Sequence, residues 1–310
     1  MLTPMQKRTA QAIVNIFETS SVLGDYGSVT LIKGDPGHLT FGRSQTTLAS
    51  GNLHELIQRY CNNPGARFGH RLAEYLDRVG ARDLTLDHDR HLHNILRASA
   101  DDAVMRETQD LFFDQVYWQR AENAAEELHI TTPLGLAVVY DSTVHGSWGR
   151  IRDRVLADRG SLEAVGEQEW IKAYVEARED WLANHDNRVL HATVYRTQAF
   201  SRLIELGHWG LDLPLVVRGL EISMATLNAT PPGCYDGPQP GSRPLALQTP
   251  MARGLDVRLV QLGLSAHGAD IKADGLFGQT SAARLKDYQN AKGLPATGVA
   301  DAALIVQLVA

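Results

Sequence analysis

The chain has 310 residues, of which 44% are hydrophobic and 21% charged, and this composition is typical of a water-soluble globular protein of about two domains. Its formal net charge of −6 argues against a general nucleic-acid binder. No stretch approaches the ~18 consecutive apolar residues that a membrane-spanning helix needs. The two cysteines, Cys61 and Cys234, are too few for a disulfide scaffold, and their redox state stays open.

The first predicted element is an amphipathic helix over residues 4–18. Apolar side chains recur three to four positions apart, and Pro4 suits the first turn of a helix. Glu18 lies at the end of this helix, where the negative end of the helix dipole favours the protonated carboxylic acid that a general acid needs. A solvated terminal glutamate is the simpler interpretation, and the residues alone do not exclude it.

A β-hairpin is predicted next. Residues 26–33 are β-branched and apolar, the sequence Gly-Asp-Pro-Gly at 34–37 is a strong turn signal, and 38–42 can return as a second strand. Asp35 lies in the turn. A carboxylate there can act as a base, but aspartate is also simply a good turn former.

The segment 50–127 has the pattern of structural helices. Within it, the sequence Asp-His-Asp-Arg-His-Leu-His at 87–93 resembles a metal site superficially. Alternate spacing places His91 and His93 on different faces of a helix, whereas helical zinc ligands are usually four residues apart. We therefore predict no metal site here and no organic cofactor.

Two further helices carry polar residues that could brace a site. A helix that begins at Thr132 carries Asp141 and His145, which share a face because they are four residues apart. The next amphipathic helix carries Arg178, and Arg188 follows in a polar stretch. Arginines near two carboxylates would hold them in place and set their charge states, although ordinary surface charges are the alternative.

A Pro- and Gly-rich stretch at 229–249 predicts a semi-rigid, surface-exposed linker. It separates a catalytic domain at 1–228 from a compact unit at 250–310, for which three helices and two tight loops are predicted. The compact unit resembles the peptidoglycan-binding domain of bacterial wall hydrolases. The residues that carry this resemblance, and that we assign to the wall-binding module, are Asp274, Gly275, Phe277, Gly278, Tyr288 and Gln289.

Segments of the first domain, at 13–20, 34–40 and 140–146, together with the Arg178 helix and residues 213–215, resemble the family 46 chitosanases of the lysozyme-like superfamily. The resemblance implies a mainly α (α+β) fold, with a two-lobed lysozyme-like catalytic domain that contains a small β-hairpin or sheet, followed by the three-helix domain. It also implies that the chain is a glycoside hydrolase of the inverting type.

The resemblance further implies roles for individual residues. Glu18 corresponds to the general acid, Asp35 to the base that activates water, and Thr40 to a residue that holds this water. The residues with supporting or substrate-binding roles are Tyr26, Asp141, His145, Arg178 and Arg188.

We consider three functions. A muramidase that cuts the β-1,4 bonds of peptidoglycan is preferred, because the C-terminal domain is addressed to that polymer. A chitosanase acting on a β-1,4 glucosamine polymer is the alternative. The third is a non-catalytic wall-binding protein, against which the presence of both carboxylates and Thr40 counts.

The expected partners are peptidoglycan glycan strands, with no nucleic acid and no membrane insertion, and the chain is expected to be a monomer. No apolar segment follows Lys7 and Arg8, so no signal peptide is predicted. We expect synthesis in the cytoplasm and action on the cell wall, in the periplasm or outside the cell, after lysis or non-classical secretion. A phage lysin and an injected effector both fit, and only the effector would need an immunity protein.

Overall fold

The computed structural model describes residues 2–43 and 45–309, which fold mainly into helices with two small sheets. The strands in this part of the chain are β1 (Val29–Thr30), β2 (Thr40–Phe41), β3 (Thr46–Thr47), β4 (Leu215–Val217) and β5 (Leu220–Ile222). The first helices are α1 (Pro4–Thr19), α2 (Asn52–Cys61), α3 (Gly69–Ala73), α4 (Leu76–Gly80), α5 (Arg90–Ser99), α6 (Ala103–Phe113), α7 (Gln119–Glu127) and α8 (Pro133–His145). They are followed by α9 (Trp148–Arg159), α10 (Leu162–Val165), α11 (Glu167–Ala183), α12 (Tyr195–Glu205), α13 (Met224–Leu227), α14 (Leu255–Ala266), α15 (Gln279–Ala291) and α16 (Ala302–Val309).

The described residues also form helical segments of other types: 3₁₀ turns at Leu84–His88 and Arg188–Thr193, and a π-helical turn at Asp114–Trp118. The predicted fold class, mainly helical with a small β component, is confirmed. None of the described helices is long and apolar enough to cross a membrane. Both cysteines are free thiols.

The chain divides into two compact units. Unit 1 comprises Met1–Gly24 and Phe113–Ala229, and unit 2 comprises Asp25–Phe112 and Thr230–Ala310. This division differs from the prediction, which placed 1–228 in one domain and 250–310 in another. Sequence periodicity identifies single helices, but it does not show which distant segments pack together, and in the structure residues 25–112 pack in the same unit as 230–310.

Unit 1 is built around α8. Nine of its residues, Leu134 to Ser142, are buried in succession, because this helix is apolar around its whole circumference rather than along one stripe. The helix begins where the sequence predicts, and Thr132 caps its N-terminus by accepting a hydrogen bond from the Gly135 N–H. The buried face of α1 and the large side chains of Trp118 and Trp170 pack in the same core. Burial of each of the α1 side chains Ile13, Ile16 and Phe17 contributes roughly 1.5–3 kcal/mol.

The first part of unit 2 contains the predicted hairpin. Strands β1 and β2 are antiparallel, with Thr30 opposite Thr40, but each strand is only two residues long. A third strand, β3, pairs with β2 and places Thr46 opposite Phe41. The sequence analysis did not predict β3, because two residues are too few to show an alternating pattern.

The second part of unit 2 is the predicted three-helix domain, formed by α14, α15 and α16 around Val257, Phe277 and Ile305. The segment 229–249 was predicted to be a surface-exposed linker, and its residues other than Cys234 and Leu245 are exposed or half-buried. Leu245 is fully buried and exchanges two backbone hydrogen bonds with Ala300, of 2.8 and 2.9 Å. Cys234 is also buried. This segment is therefore part of the fold of unit 2.

Within unit 2, helix α14 and the segment that follows it pack against α5 and Asp101 through buried polar contacts. Asn94 is 1% exposed; it donates to the Ile271 carbonyl at 2.8 Å and accepts from the Ala273 N–H at 2.9 Å. Arg258 forms a buried ion pair with Asp101 at 3.0 Å. Burial raises the pKa of Asp101 to about 6, although Arg258 acts in the opposite direction.

Candidate active site

Glu18 lies in the last turn of α1, in unit 1. The helix ends at Ser20, which adopts a left-handed conformation and donates its N–H to the Ile16 carbonyl. Phe17, one residue before Glu18, is buried between the rings of Tyr195 and Phe200 at centroid distances of 5.9 and 5.5 Å. Packing therefore fixes the backbone here, whereas the Glu18 side chain is 44% exposed and accessible to a substrate.

Asp141 is the anchor of a charge network behind Glu18. It lies near the end of the buried helix α8 and is 0% exposed. A buried carboxylate is tolerated only if it is paired, and each oxygen of Asp141 has its own arginine. Arg178 on α11 donates to Oδ2 at 2.6 Å, and Arg196 on α12 donates to Oδ1 at 2.7 Å. Two predicted residues, Asp141 and Arg178, are thus brought together.

Arg196 connects this network to Glu18. Its Nη1 contacts Asp141, and its Nη2 lies 2.5 Å from Oε1 of Glu18. Burial lowers the pKa of Arg196, but the charges of Asp141 and Glu18 outweigh that effect and raise it above its ordinary value. Two guanidinium groups and two carboxylates make the network neutral when Glu18 is ionised.

The sequence analysis missed Arg196 and named Arg188 instead. Arg188 is exposed at the start of a 3₁₀ turn. A signal for Arg196 was available, because it falls on the same face of α12 as the buried residues Phe200 and Leu203, four and seven positions further on. An arginine on an apolar helix face must have a buried partner.

His145 lies one helical turn beyond Asp141 on α8 and is partly buried. Burial lowers its pKa below the ordinary 6.5, and the nearby cations Arg196 and Arg178 lower it further. The imidazole is therefore neutral at pH 7 and adds no third positive charge to the network.

Asp35 lies in unit 2, in the connection between β1 and β2. Its N–H donates to the Ile32 carbonyl at 3.0 Å, which closes a turn that requires a positive φ of 84° at Gly34. Its Oδ1 accepts the Gly37 N–H at 3.0 Å. These bonds orient the carboxylate and leave Oδ2 available for water.

Asp87 holds the same loop in place, although the sequence analysis considered it only as part of a rejected metal motif. Its Oδ2 lies 2.7 Å from Nδ1 of His38, and its Oδ1 accepts the Leu39 N–H at 2.9 Å. His38 has a positive φ of 59°, an unusual conformation that these bonds stabilise. Because Asp87 is 49 residues from His38, no local pattern reveals this contact.

Thr40 and Tyr26 are both buried in unit 2. The Thr40 hydroxyl donates to the His38 carbonyl at 3.0 Å, so its oxygen can still accept a hydrogen bond from a water molecule. The Tyr26 hydroxyl donates to Asp110 at 2.8 Å, and Arg43 pairs with the same carboxylate. Burial raises the pKa of Tyr26 well above its usual range. Tyr26 is therefore held in place by a hydrogen bond to α6.

The side chains assigned to the wall-binding module mainly hold its loops together. Gln261 accepts the Gly275 N–H at 2.8 Å and donates to Oδ1 of Asp274 at 3.0 Å. Gln289 makes the same type of bond in the next loop, where it accepts the Gly298 N–H at 2.9 Å. The motif side chains that are buried in this module are Phe277, Tyr288 and Gln289. The motif thus specifies the fold of the module, and its exposed surface lies elsewhere.

The described residues contain no group of three or more His, Cys, Asp or Glu side chains that could hold a metal ion. The carboxylates of Glu18 in unit 1 and Asp35 in unit 2 are instead groups that can each give up or take up a proton. Each carboxylate is accessible or partly exposed; Glu18 accepts a hydrogen bond from the buried Arg196, and Asp35 accepts one from the Gly37 N–H.

Comparisons with known proteins agree with this chemistry. The family model glycosyl hydrolase family 46 matches residues 12–215, and a second model, "Putative peptidoglycan binding domain", matches residues 253–308. A chitosanase from Bacillus subtilis (strain 168) is 27% identical over 235 residues, covering 70% of this chain and 83% of the relative.

Solved structures show the same fold. A family 46 chitosanase from Gynuella sunshinyii in complex with chitotetraose has a TM-score of 0.54 and is 25% identical. The match covers 72% of this chain and 99% of that one. A native chitosanase from Bacillus subtilis MY002 has a TM-score of 0.53 and 24% identity, covering 70% of this chain and 96% of that one. The chain therefore belongs to glycosyl hydrolase family 46 and is a glycoside hydrolase.

Proposed function

We propose that this protein hydrolyses the β-1,4 bonds of chitosan, with Glu18 as general acid and Asp35 as general base. The observation that carries the proposal is the accessible Glu18 carboxylate, tied through Arg196 to the buried Asp141. The sequence analysis preferred a muramidase. The relatives reported above are chitosanases, and they favour the alternative that the sequence analysis ranked second.

The reaction needs two proton movements. Glu18 donates its proton to the glycosidic oxygen as the bond to the anomeric carbon breaks. Asp35 takes a proton from a water molecule, whose oxygen bonds to the anomeric carbon from the opposite face, so the configuration is inverted. Thr40 accepts a hydrogen bond from this water and fixes its position.

Arg196 has a specific part in the first step. When Glu18 gives up its proton, the carboxylate that forms lies 2.5 Å from a guanidinium nitrogen that is already in place. Preorganised charge of this kind stabilises the developing anion without further rearrangement. Asp141 holds Arg196 in that orientation, and Arg178 occupies the second oxygen of Asp141, so Asp141 cannot turn away.

Peptidoglycan glycan strands are the second candidate substrate. The match of residues 253–308 to a peptidoglycan-binding model favours it, because a binding domain commonly delivers an enzyme to the polymer that it cuts. Both polymers contain β-1,4 bonds between amino sugars. The net charge of −6 favours the polycation chitosan as the partner.

The test is parallel digestion of chitosan and of purified peptidoglycan sacculi, followed by mass spectrometry of the released ends. The wild type is compared with Glu18→Gln and Asp35→Asn, and Glu205→Gln serves as a matched control because Glu205 is an exposed carboxylate of unit 1. We expect glucosamine oligomers from chitosan, lost in both site variants and retained in the control. Muropeptides with new reducing ends, with chitosan left intact, would overturn the choice of substrate. Full activity of Glu18→Gln on either polymer would overturn the assignment of the acid.

A further inference from the structure

A cavity of about 200 Å³ lies in unit 2, between α5 and the chain that follows α14. Its lining residues are Arg90, His93, Asn94 and Arg97 on α5, and Ile271 and Lys272 after α14. The four α5 residues lie on one face of the helix, because they follow Arg90 by three, four and seven positions. The buried Asn94 joins the two sides of the cavity, since it donates to the Ile271 carbonyl at 2.8 Å.

The charge around this cavity is strongly positive. Its lining residues, taken from the described part of the chain, include the cations Arg90, Arg97 and Lys272 and no carboxylate. Arg90 is paired with Asp270. Neither Arg97 nor Lys272 has a carboxylate within ion-pairing distance among residues 2–43 and 45–309. Two positive charges thus remain uncompensated at one cavity, in a chain whose formal net charge is −6.

Arg97 is the more unusual of these two cations, because it is half-buried. Arg258 lies beside it and donates to its carbonyl at 3.0 Å. Burial lowers the pKa of Arg97, and the charge of Arg258 lowers it further. Arg258 has its own partner in Asp101, whereas Asp274 acts on Arg97 only from a distance. A partly buried charge normally has a partner of opposite sign, and a bound anion would supply one to Arg97.

The size of the cavity and the number of unpaired cations indicate the kind of anion. Sites for drug-sized molecules measure about 300–1,000 Å³, so this smaller cavity suits a group of a few atoms rather than a sugar ring. Two unpaired cations match a dianion. A guanidinium presents parallel N–H donors that fit phosphate oxygens, and lysine also binds phosphate. His93 adds no charge at pH 7, because burial lowers its pKa below 6.5.

We propose that this cavity binds a phosphate group. Two phosphate oxygens accept hydrogen bonds from the Arg97 guanidinium, and a third contacts the Lys272 ammonium. Because Arg97 lies on α5 and Lys272 follows α14, the bound group holds the C-terminal helices against α5. This inference goes beyond the proposed function, because it concerns a site within unit 2 and does not depend on which glycan is cut.

The test is calorimetric titration of the full-length chain with inorganic phosphate at about pH 8, where a phosphate group is largely a dianion because its second pKa is roughly 6–7. Arg97→Gln and Lys272→Gln each remove one proposed contact. Lys286→Gln makes the same charge change as Lys272→Gln at an exposed position of α15 outside the cavity. We expect each site variant to bind at least about tenfold more weakly, because it loses a charge-assisted contact, and the control to bind like the wild type. Lys272 is exposed, so Lys272→Gln tests the site even if Arg97→Gln folds poorly.

Competing anions distinguish a phosphate site from general attraction to positive charge. Sulfate, a tetrahedral dianion, should compete with phosphate, whereas acetate at the same ionic strength should not. Glycerol phosphate identifies the source of the group: binding equal to that of inorganic phosphate supports a phosphate carried by a larger molecule, and weaker binding supports the free ion.

Three results would overturn the proposal: no binding of phosphate, unchanged binding by Lys272→Gln, or competition by acetate as effective as that by sulfate. Because the readout is binding, a failure of chitosan hydrolysis would leave this result standing and would count only against the proposed function.

Discussion

Replacing Asp141 by asparagine tests whether the buried network is as tightly coupled as the structure indicates. Asp141 is 0% exposed, and its two arginines are 1% and 4% exposed. Asparagine has the same shape but only one acceptor oxygen, so its NH₂ group would face a guanidinium donor. Loss of one partner from a buried ion pair typically costs about 3–5 kcal/mol, because the remaining charge stays buried without compensation.

This cost can be measured in unit 1 alone. All five tryptophans of the chain, Trp118, Trp148, Trp170, Trp181 and Trp209, belong to unit 1, so tryptophan fluorescence in a urea titration reports the unfolding of this unit. For a slope of about 2 kcal/mol per M, a loss of about 4 kcal/mol lowers the midpoint by about 2 M. Glu205→Gln breaks an exposed pair and should cost at most about 1 kcal/mol. A loss of less than about 1 kcal/mol in Asp141→Asn would refute the reasoning.

Three further predictions concern single groups. Arg196→Lys should lower kcat on chitosan oligosaccharides by about 10²-fold with little change in KM, because one ammonium group cannot bridge the two carboxylates and Glu18 loses its alignment. An unchanged kcat would show that Arg196 does not orient Glu18 for the reaction. The stability of unit 1 should fall as the pH drops through 6.5, because the pKa of His145 is lowered in the folded protein and the unfolded chain therefore takes up the proton first. His145→Gln should remove this pH dependence of the unfolding free energy measured by tryptophan fluorescence. If the pH dependence persists in the variant, another group causes it. The stability of unit 2 should fall by roughly 3 kcal/mol as the pH rises from about 4 to about 6, because folded Asp101 has its pKa raised to about 6 and retains a proton that the unfolded chain has lost. Unfolding followed by far-UV circular dichroism should show this pH dependence, and Asp101→Asn should abolish it.

Local patterns in the sequence predicted the elements that depend on near neighbours. The α1 helix was predicted from apolar spacing and Pro4, α8 from its start at Thr132, and the turn that contains Asp35 from the Gly-Asp-Pro-Gly sequence. In each case the determining residues lie within a few positions of one another. The third strand, β3, has only two residues and lies below the length at which such a pattern is visible.

Contacts between distant segments were not predictable in the same way. Arg196 reaches Glu18 across 178 residues, and Asp87 reaches His38 across 49. The segment 229–249 was read as an exposed linker from its Pro and Gly content. That composition reports local stiffness, but it does not reveal that Leu245 pairs with Ala300.

The candidate site uses buried charges where apolar residues would fold the chain at least as well. Replacing a buried ion pair by well-packed apolar side chains is often neutral or stabilising, so the Arg178–Asp141–Arg196 network is weak evidence for stability. What the network supplies is orientation: Asp141 is fixed by α8 and Arg178, Arg196 is fixed by Asp141, and the exposed Glu18 receives a guanidinium from a rigid support. Asp87 does the same for the loop of Asp35, through backbone and side-chain bonds at its two oxygens. In both units a buried aspartate thus positions the group next to a candidate catalytic carboxylate, which is where a departure from an apolar core is expected to serve function.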